Sequence, residues 1–200
     1  MSWIRQHPLL VALALSLLVA GPGLWTPLVL DDWFHVSAVE AWLGGAGPRV
    51  PIYFEGWQDP WGGPNVFHFF DGAANNPREL EAGLVPWWTL PELRIIFLRP
   101  LSSGLHVVDA LLFGQSGLGP NLHSLGWYLA LVGVVHLLYR RALSAPVALL
   151  ALALFAIDET HWFPTCWVAN RNALVAAVPG LLGLLAHMRW QEGWRWGLPL

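Results

Sequence analysis

The sequence predicts an all-α membrane protein: a polytopic bundle of transmembrane helices with a long, partly helical loop outside the cytoplasm. Of its 200 residues, 56% are hydrophobic and only 12% are charged, whereas about a quarter of the residues in a soluble domain are charged. Four apolar stretches contain no Asp, Glu, Lys or Arg. The net charge of −3 offers no basic surface for nucleic acid. Cys166 is the only cysteine, so an intramolecular disulfide and a C-x-x-C site are excluded.

The first apolar stretch covers about residues 8–30 and follows Arg5. At 1.5 Å per residue it is long enough to cross a hydrocarbon core of about 30 Å. A cleaved signal peptide is the competing interpretation. Cleavage after Ala20 would place the bulky Leu18 where a small residue is required, so an uncleaved anchor is favoured.

Three more transmembrane helices are predicted at about residues 121–139, 142–157 and 172–187, with an extracytoplasmic loop at about 31–119. Residues 1–200 are therefore interpreted as a single membrane domain. The ending "EGWRWGLPL" is typical of a new span beginning, so we expect the chain to be the N-terminal part of a larger enzyme and not to transfer sugar alone. A channel or transporter subunit is disfavoured, because the third span has only Ser144 as a polar residue, near its inner end.

The placement of charge predicts a cytoplasmic N-terminus. With that orientation the inner segments carry five arginines, as the positive-inside rule expects. These are Arg5, Arg140, Arg141, Arg189 and Arg195. Every acidic residue except Glu192 then falls in the outer segments, which supports the same topology.

The outer loop divides into a turn-rich part and a helical part. The stretch "WQDPWGGPNVFHFFDGAANNP" contains several turn signals, so irregular structure is expected there. Two short helices are predicted after it, at 78–83 and 100–113. The second has an apolar stripe of Leu101, Leu105, Val108 and Leu112, with Ser102, His106 and Asp109 on another face. Such a helix can lie along the membrane surface.

The segment "LDDWFH" places Asp31, Asp32 and His35 where the first apolar stretch ends. Either aspartate can share a helix face with His35. Asp32 and His35 could then help to hold a divalent cation, or a carboxylate could act as a general base. The alternative is a polar cluster that only marks where the helix leaves the lipid.

Three longer stretches resemble a known family, the GT-C type membrane glycosyltransferases, which include the protein O-mannosyltransferases and their bacterial relatives. They are "LPELRIIFLRPLSSGLHVVDALLFG", "PNLHSLGWYLALVGVVHLLYRR" and "ALFAIDETHWFPTCWVANRNALVAA". The matching positions are Asp31, Asp32, Arg99, Pro100, Gly114, His123, His161, Trp167 and Arg171. The chain departs from the family pattern at Phe163, where a glutamate is common, and at Ile157-Asp158-Glu159.

The resemblance implies a GT-C-like N-terminal half in a bacterial inner membrane. It implies transfer of a sugar from a polyprenyl-phosphate donor to an acceptor glycan, lipid or protein on the outer side. Asp31 or Asp32 would be the catalytic base, with a divalent metal optional. The substrate-binding residues would be His35, Arg99, His123, His161, Trp167 and Arg171, with the two arginines as phosphate clamps.

Several alternatives stay open. A non-catalytic membrane scaffold or binding subunit would use the same polar residues only to shape the loop. Arg99 could be an interfacial arginine, and Arg171 could pair with an acid of the last outer segment. Trp57, Trp61, Trp87 and Trp88 are interpreted as membrane anchors, with sugar stacking as the second interpretation. For a single active site, we expect Asp31, Asp32, His123, His161 and Arg171 to converge at the outer membrane boundary.

Overall fold

The computed structural model of the protein describes residues 2–44, 65–72, 76–81, 83 and 85–194. The described chain is mostly helical, as predicted. It divides into two compact units. We call Met1–Pro27 with Gly117–Leu200 the span unit and Leu28–Ser116 the loop unit.

The span unit contains the helices that are long and apolar enough to cross a membrane. They are Pro8–Trp25, Leu118–Ala142 and Val168–Gln191. A fourth candidate is the pair Ala145–Ile157 and Glu159–Cys166, bent by 46° at the break between them. Length and composition therefore support association of the chain with a membrane.

The helices of the span unit are α1 (Ser2–Gln6), α2 (Pro8–Ala20), α6 (Leu118–Ala142), α7 (Ala145–Ile157), α8 (Trp162–Cys166) and α9 (Asn172–Gln191). Short 3₁₀ helices occupy Gly21–Trp25, Glu159–His161 and Val168–Arg171. The first helical segment ends at Trp25 and not at Leu30. Pro27 explains this end, because it disfavours helical geometry at Thr26, whose ψ of 128° is extended.

Helix α6 is the centre of the span unit and packs against α2, α7 and α9. Tyr128, Val132, Leu152 and Leu174 belong to the core between these helices. The Tyr128 hydroxyl lies inside this apolar core and donates to the carbonyl of Ala156 at 3.0 Å. This bond satisfies a polar group at a depth where no water would.

Asn121 joins the start of α6 to the end of the first span. Its amide Nδ2 donates to the carbonyl of Thr26 at 2.7 Å, and it also lies 3.3 Å from the carbonyl of Gly23 and 3.4 Å from that of Leu24. Carbonyls at a helix end lack intrahelical donors, so a side chain that supplies one stabilises the end. Gly23 is required at the same place, because a Cβ there would lie 2.9 Å from the Cβ of Cys166.

We expect Asn121→Asp to destabilise the span unit by about 2–4 kcal/mol, because an ionised carboxylate would replace the side-chain donor that faces these carbonyls. Thermal or denaturant unfolding in detergent measures the change. Asn172→Asp is the matched control. Asn172 donates a single local bond to the carbonyl of Ala169 at the start of α9, where a negative charge suits the helix dipole. Equal losses in the two variants would contradict the role assigned to Asn121.

The loop unit contains α3 (Asp31–Trp42), α4 (Asn76–Glu81), α5 (Pro100–Phe113) and an antiparallel pair of strands, β1 (His68–Asp71) and β2 (Arg94–Ile96). Helix α5 has the bounds that the sequence predicted. The helix predicted at 78–83 lies at Asn76–Glu81 instead. Irregular structure was expected around His68–Asp71, and this expectation was wrong, because pairing with β2 orders the segment. Residues 57–64 of that stretch lie outside the described chain.

Helix α5 buries its polar face and exposes its apolar one. Its buried residues are Ser102, Ser103, His106 and Asp109. On the other face, Leu112 has 68% of its surface exposed, and Leu101 and Leu111 are also exposed. A helix at the surface of a soluble protein instead buries its apolar face and exposes its polar one. The observed orientation of α5 therefore favours the predicted position along a membrane surface.

We expect a spin label at residue 112 to contact lipid. The test uses Leu112→Cys in a Cys166→Ser background and compares collisions with oxygen and with a water-soluble nickel chelate. Gln115→Cys, at an exposed polar position just after α5, is the control. The label at 112 should be quenched more by oxygen than the label at 115. Equal exposure of both labels to the nickel chelate would show that the apolar face of α5 lies in water.

Candidate functional site

A tight turn places the two aspartates at the start of α3. The backbone N–H of Val29 donates to Oδ2 of Asp32 at 2.9 Å, and the N–H of Asp32 donates to the carbonyl of Val29 at 2.9 Å. Leu30 between them has φ of 46°, a conformation that costs a leucine about 1–2 kcal/mol. The turn therefore fixes the position of the Asp32 carboxylate, although Leu30 adopts a strained backbone conformation to form it.

This geometry corrects one expectation. The aspartates do not follow the end of the first span; they begin α3, and His35 lies one turn further along the same helix. Acidic residues in a first turn interact favourably with the helix dipole, so part of their role is structural. Asp32 is only 1% exposed, whereas Asp31 is accessible to solvent. Partial burial nevertheless raises the pKa of the Asp31 carboxyl above its ordinary value.

A buried polar cluster lies where α3 packs against α5. The rings of His35 and His106 meet edge to face with centroids 4.5 Å apart, and Phe67 lies 4.8 Å from His35 and 5.9 Å from His106. Asp109 is buried one turn along the same face of α5. We call Asp32, His35, His106 and Asp109 the α3/α5 polar cluster. His106 and Asp109 were not among the predicted site residues. Their position on the polar face of α5 was the sequence feature that could have identified them.

Arg99 comes directly before α5 and is half-buried. Its guanidinium carbon lies 4.7 Å from the ring centroid of Phe67 and 4.6 Å from that of Phe97. Two cation–π contacts therefore hold the side chain beside a ring that also touches His35 and His106. Arg99 thus shares Phe67 with the α3/α5 polar cluster.

The predicted residues of the span unit are held by their neighbours. Nε2 of His123 accepts a hydrogen bond from the indole of Trp127 at 3.1 Å. His161 stacks on Tyr128 with centroids 5.0 Å apart, and its Nδ1 lies 3.1 Å from the carbonyl of Asp158. Trp167 has a buried indole N–H for which the described residues offer no hydrogen-bond acceptor. Such a donor is available to a ligand.

Arg171 has the largest side chain among the fully buried residues and is 1% exposed. Its Nη1 donates to the carbonyl of Pro120 near the start of α6 at 3.3 Å. The carboxylate of Asp158, one of the acids considered as its partner, accepts from the N–H and the hydroxyl of Thr160 at 2.9 and 2.7 Å. Arg171 is therefore a buried cation fixed against α6 as well as a predicted phosphate ligand.

The structure brings together Asp31, Asp32 and His35 on α3, and it groups Arg99 with the cluster through Phe67. We predicted that Asp31 and Asp32 lie close to His123, His161 and Arg171. These residues belong to different units, so this convergence stays a prediction. Within the described chain, no three His, Cys, Asp or Glu side chains are arranged to hold a metal ion. A metal at Asp32 and His35 therefore gains no support.

The tryptophans of the loop were predicted to anchor the chain in the membrane. Trp87 and Trp88 are highly exposed and meet edge to face with centroids 5.5 Å apart. Exposed indoles are typical of a membrane interface, which agrees with the anchoring interpretation. Trp57 and Trp61 lie outside the described residues.

Comparisons with known proteins extend this description no further: no family model, no curated protein and no solved structure matches the chain.

Proposed function

We propose that the protein is a membrane glycosyltransferase that moves a sugar from a polyprenyl-phosphate donor to an acceptor on the extracytoplasmic side, with Asp31 or Asp32 as the base. The observation that carries the proposal is the α3/α5 polar cluster. Two carboxylates and two imidazoles are buried in the loop unit, on the helices α3 and α5 that pack against each other. Burial of such groups costs free energy that apolar side chains would avoid, so their presence favours a functional role.

The two aspartates have different environments, and each environment meets one requirement of a general base. Asp32 is held rigidly by the Val29 N–H, which positions a carboxylate well for proton transfer. Asp31 is accessible to an acceptor, and its raised pKa makes it a stronger base than an ordinary aspartate. Inverting displacement at the sugar carbon needs one such group to take the proton of the acceptor hydroxyl.

The leaving phosphate needs cationic groups. Arg99 supplies a guanidinium beside the cluster, within cation–π distance of Phe67 and Phe97, and a planar guanidinium can bind two oxygens of a phosphate at once. Arg171 is the second proposed clamp, and the buried indole N–H of Trp167 is a further donor in the span unit.

A non-catalytic scaffold is the second candidate. The edge-to-face packing of His35, His106 and Phe67 favours it, because aromatic contacts of this kind stabilise a fold without any ligand. A scaffold has no need of a polyprenyl phosphate, however, and this difference can be measured.

The test is photolabelling of the intact protein in its membrane with a photoreactive polyprenyl-phosphate sugar. We expect label in the peptides that carry α3 or α5. An excess of unlabelled donor should prevent labelling, whereas uncharged polyprenol should not, because it lacks the phosphate that Arg99 would bind. Labelling that polyprenol abolishes equally well, or no labelling of these peptides, would count against the proposal.

A further inference from the structure

A second candidate site lies in the span unit, and its lining includes none of the residues discussed for sugar transfer. It is a cavity of about 970 Å³ between the first turns of α2, the last turns of α6 and the start of α7. Along α6 it lies at the His136–Arg140 end, about 20–25 Å from His123 at 1.5 Å per residue. A volume of this size accommodates a small-molecule headgroup.

The cavity lining is cationic. It includes Arg5, His7, His136 and Arg140 and contains no acidic residue. Among the described residues, no carboxylate pairs with Arg5 or Arg140. Glu192 pairs instead with Arg141, whose side chain does not line the cavity. The two guanidinium groups therefore remain available to an anion.

His136 indicates that the cavity is built for a polar ligand. It is only 6% exposed, yet its imidazole forms no hydrogen bond with the described residues, and it lines the cavity four residues before Arg140 on α6. A histidine inside an apolar helical bundle generally faces protein or a cavity and marks a functional position by default.

Two helix N-termini border the same space. Helices α2 and α7 both begin at the cavity, and neither of their N-cap residues, His7 and Ser144, provides a side-chain hydrogen bond to the helix. The backbone N–H groups of a first turn lack intrahelical acceptors and carry partial positive charge. They reinforce the preference of the lining for an anion.

We propose that this cavity binds the phosphate headgroup of an anionic phospholipid. The shared chemistry is a phosphate ester held by Arg5 and Arg140, with His136 as a hydrogen-bond partner. A lipid is favoured over free phosphate because, apart from Gln6 and His7, the rest of the lining is apolar, and Leu9, Leu10 and Leu149 belong to candidate membrane-spanning helices. Acyl chains can continue along these helices while the headgroup stays at the membrane boundary, where basic pockets between helices recognise anionic lipids.

The experiment measures lipid binding to the intact purified protein by native mass spectrometry. Phosphatidylglycerol and phosphatidylcholine with identical acyl chains are the two probes. We expect phosphatidylglycerol to bind at least about tenfold more tightly. Arg140→Gln should remove about tenfold of that affinity, as expected for the loss of one charge-assisted hydrogen bond, and should reduce the preference for phosphatidylglycerol, because phosphatidylcholine also carries the phosphate but its choline cation is repelled by the basic lining.

Two further variants complete the test. Arg5→Gln, at an exposed position of α1, should weaken phosphatidylglycerol binding in the same way, and it serves if Arg140→Gln does not fold. Arg189→Gln is the matched control, because Arg189 is an exposed arginine that does not line the cavity. Equal affinity for the two lipids, or equal effects of Arg140→Gln and Arg189→Gln, would overturn the proposal. Displacement of the lipid by inorganic phosphate at comparable concentration would assign the site to free phosphate and overturn the lipid assignment.

Discussion

Replacing Asp32 by Asn is expected to reduce the rate of sugar transfer by about 10²–10⁴-fold, the usual contribution of a general base. The fold should survive the change. An asparagine carbonyl can still accept the N–H of Val29, so the free energy of unfolding should fall by less than about 1 kcal/mol. Transfer rate and unfolding are measured on the same membrane preparation, which separates loss of a base from loss of structure.

Three variants serve as controls. Asp32→Ala should lose both activity and about 1–2 kcal/mol of stability, because it removes the acceptor of the Val29 N–H. Asp31→Asn shows which aspartate takes the proton. Glu40→Gln removes one carboxylate from the same helix, and its amide oxygen can still accept from Gln115, so activity should be unchanged. Wild-type rates in both Asp31→Asn and Asp32→Asn would remove the base from the proposed mechanism.

Replacing Arg171 by Ala is expected to lower the free energy of unfolding by about 3–5 kcal/mol. The side chain is fully buried, so its truncation leaves a cavity and removes a charged donor from the carbonyl of Pro120, which keeps the hydrogen bond from the Ser124 hydroxyl. Denaturant unfolding in detergent measures the loss. Arg189→Ala is the control, since Arg189 is exposed and its one described aromatic contact is with Trp194 at 5.7 Å. It should cost less than about 1 kcal/mol.

Arg171→Lys separates the structural role of Arg171 from its proposed role as a phosphate clamp. Lysine keeps the positive charge but cannot bind two phosphate oxygens through one planar group. A clamp predicts a larger loss of transfer in Arg171→Lys than the loss of stability explains. A variant with normal transfer and reduced stability would leave Arg171 with a structural role alone.

The sequence alone was sufficient to predict the helices that depend on patterns of neighbouring residues. Apolar runs without charge define the candidate spans, and the spacing of Leu101, Leu105, Val108 and Leu112 defines α5 with its observed bounds. The end of the first span was harder to predict. Hydropathy stays high from Pro8 to Leu30, and the break at Trp25 depends on Pro27 and on the turn at Leu30, which hydropathy does not record.

Interactions between distant residues were beyond a prediction of this kind. The donor at Asn121 serves carbonyls almost a hundred positions earlier in the chain, and β1 pairs with β2 across the intervening α4. The contact of His35 with His106 likewise depends on how α3 packs against α5. The sequence identified the polar face of α5, but only packing shows that this face is buried with Asp32 and His35.

Sugar transfer in proteoliposomes by the intact protein, including any spans encoded beyond residue 200, is the most direct test of the proposed function. The assay supplies a panel of polyprenyl-phosphate hexoses and pentoses with a mixture of glycan, lipid and peptide acceptors, and it measures polyprenyl phosphate released. The account predicts release that depends on acceptor, matches the amount of sugar transferred and is lost in the double variant Asp31→Asn/Asp32→Asn. Equal release by wild type and double variant with every donor would contradict it and leave the scaffold as the better explanation.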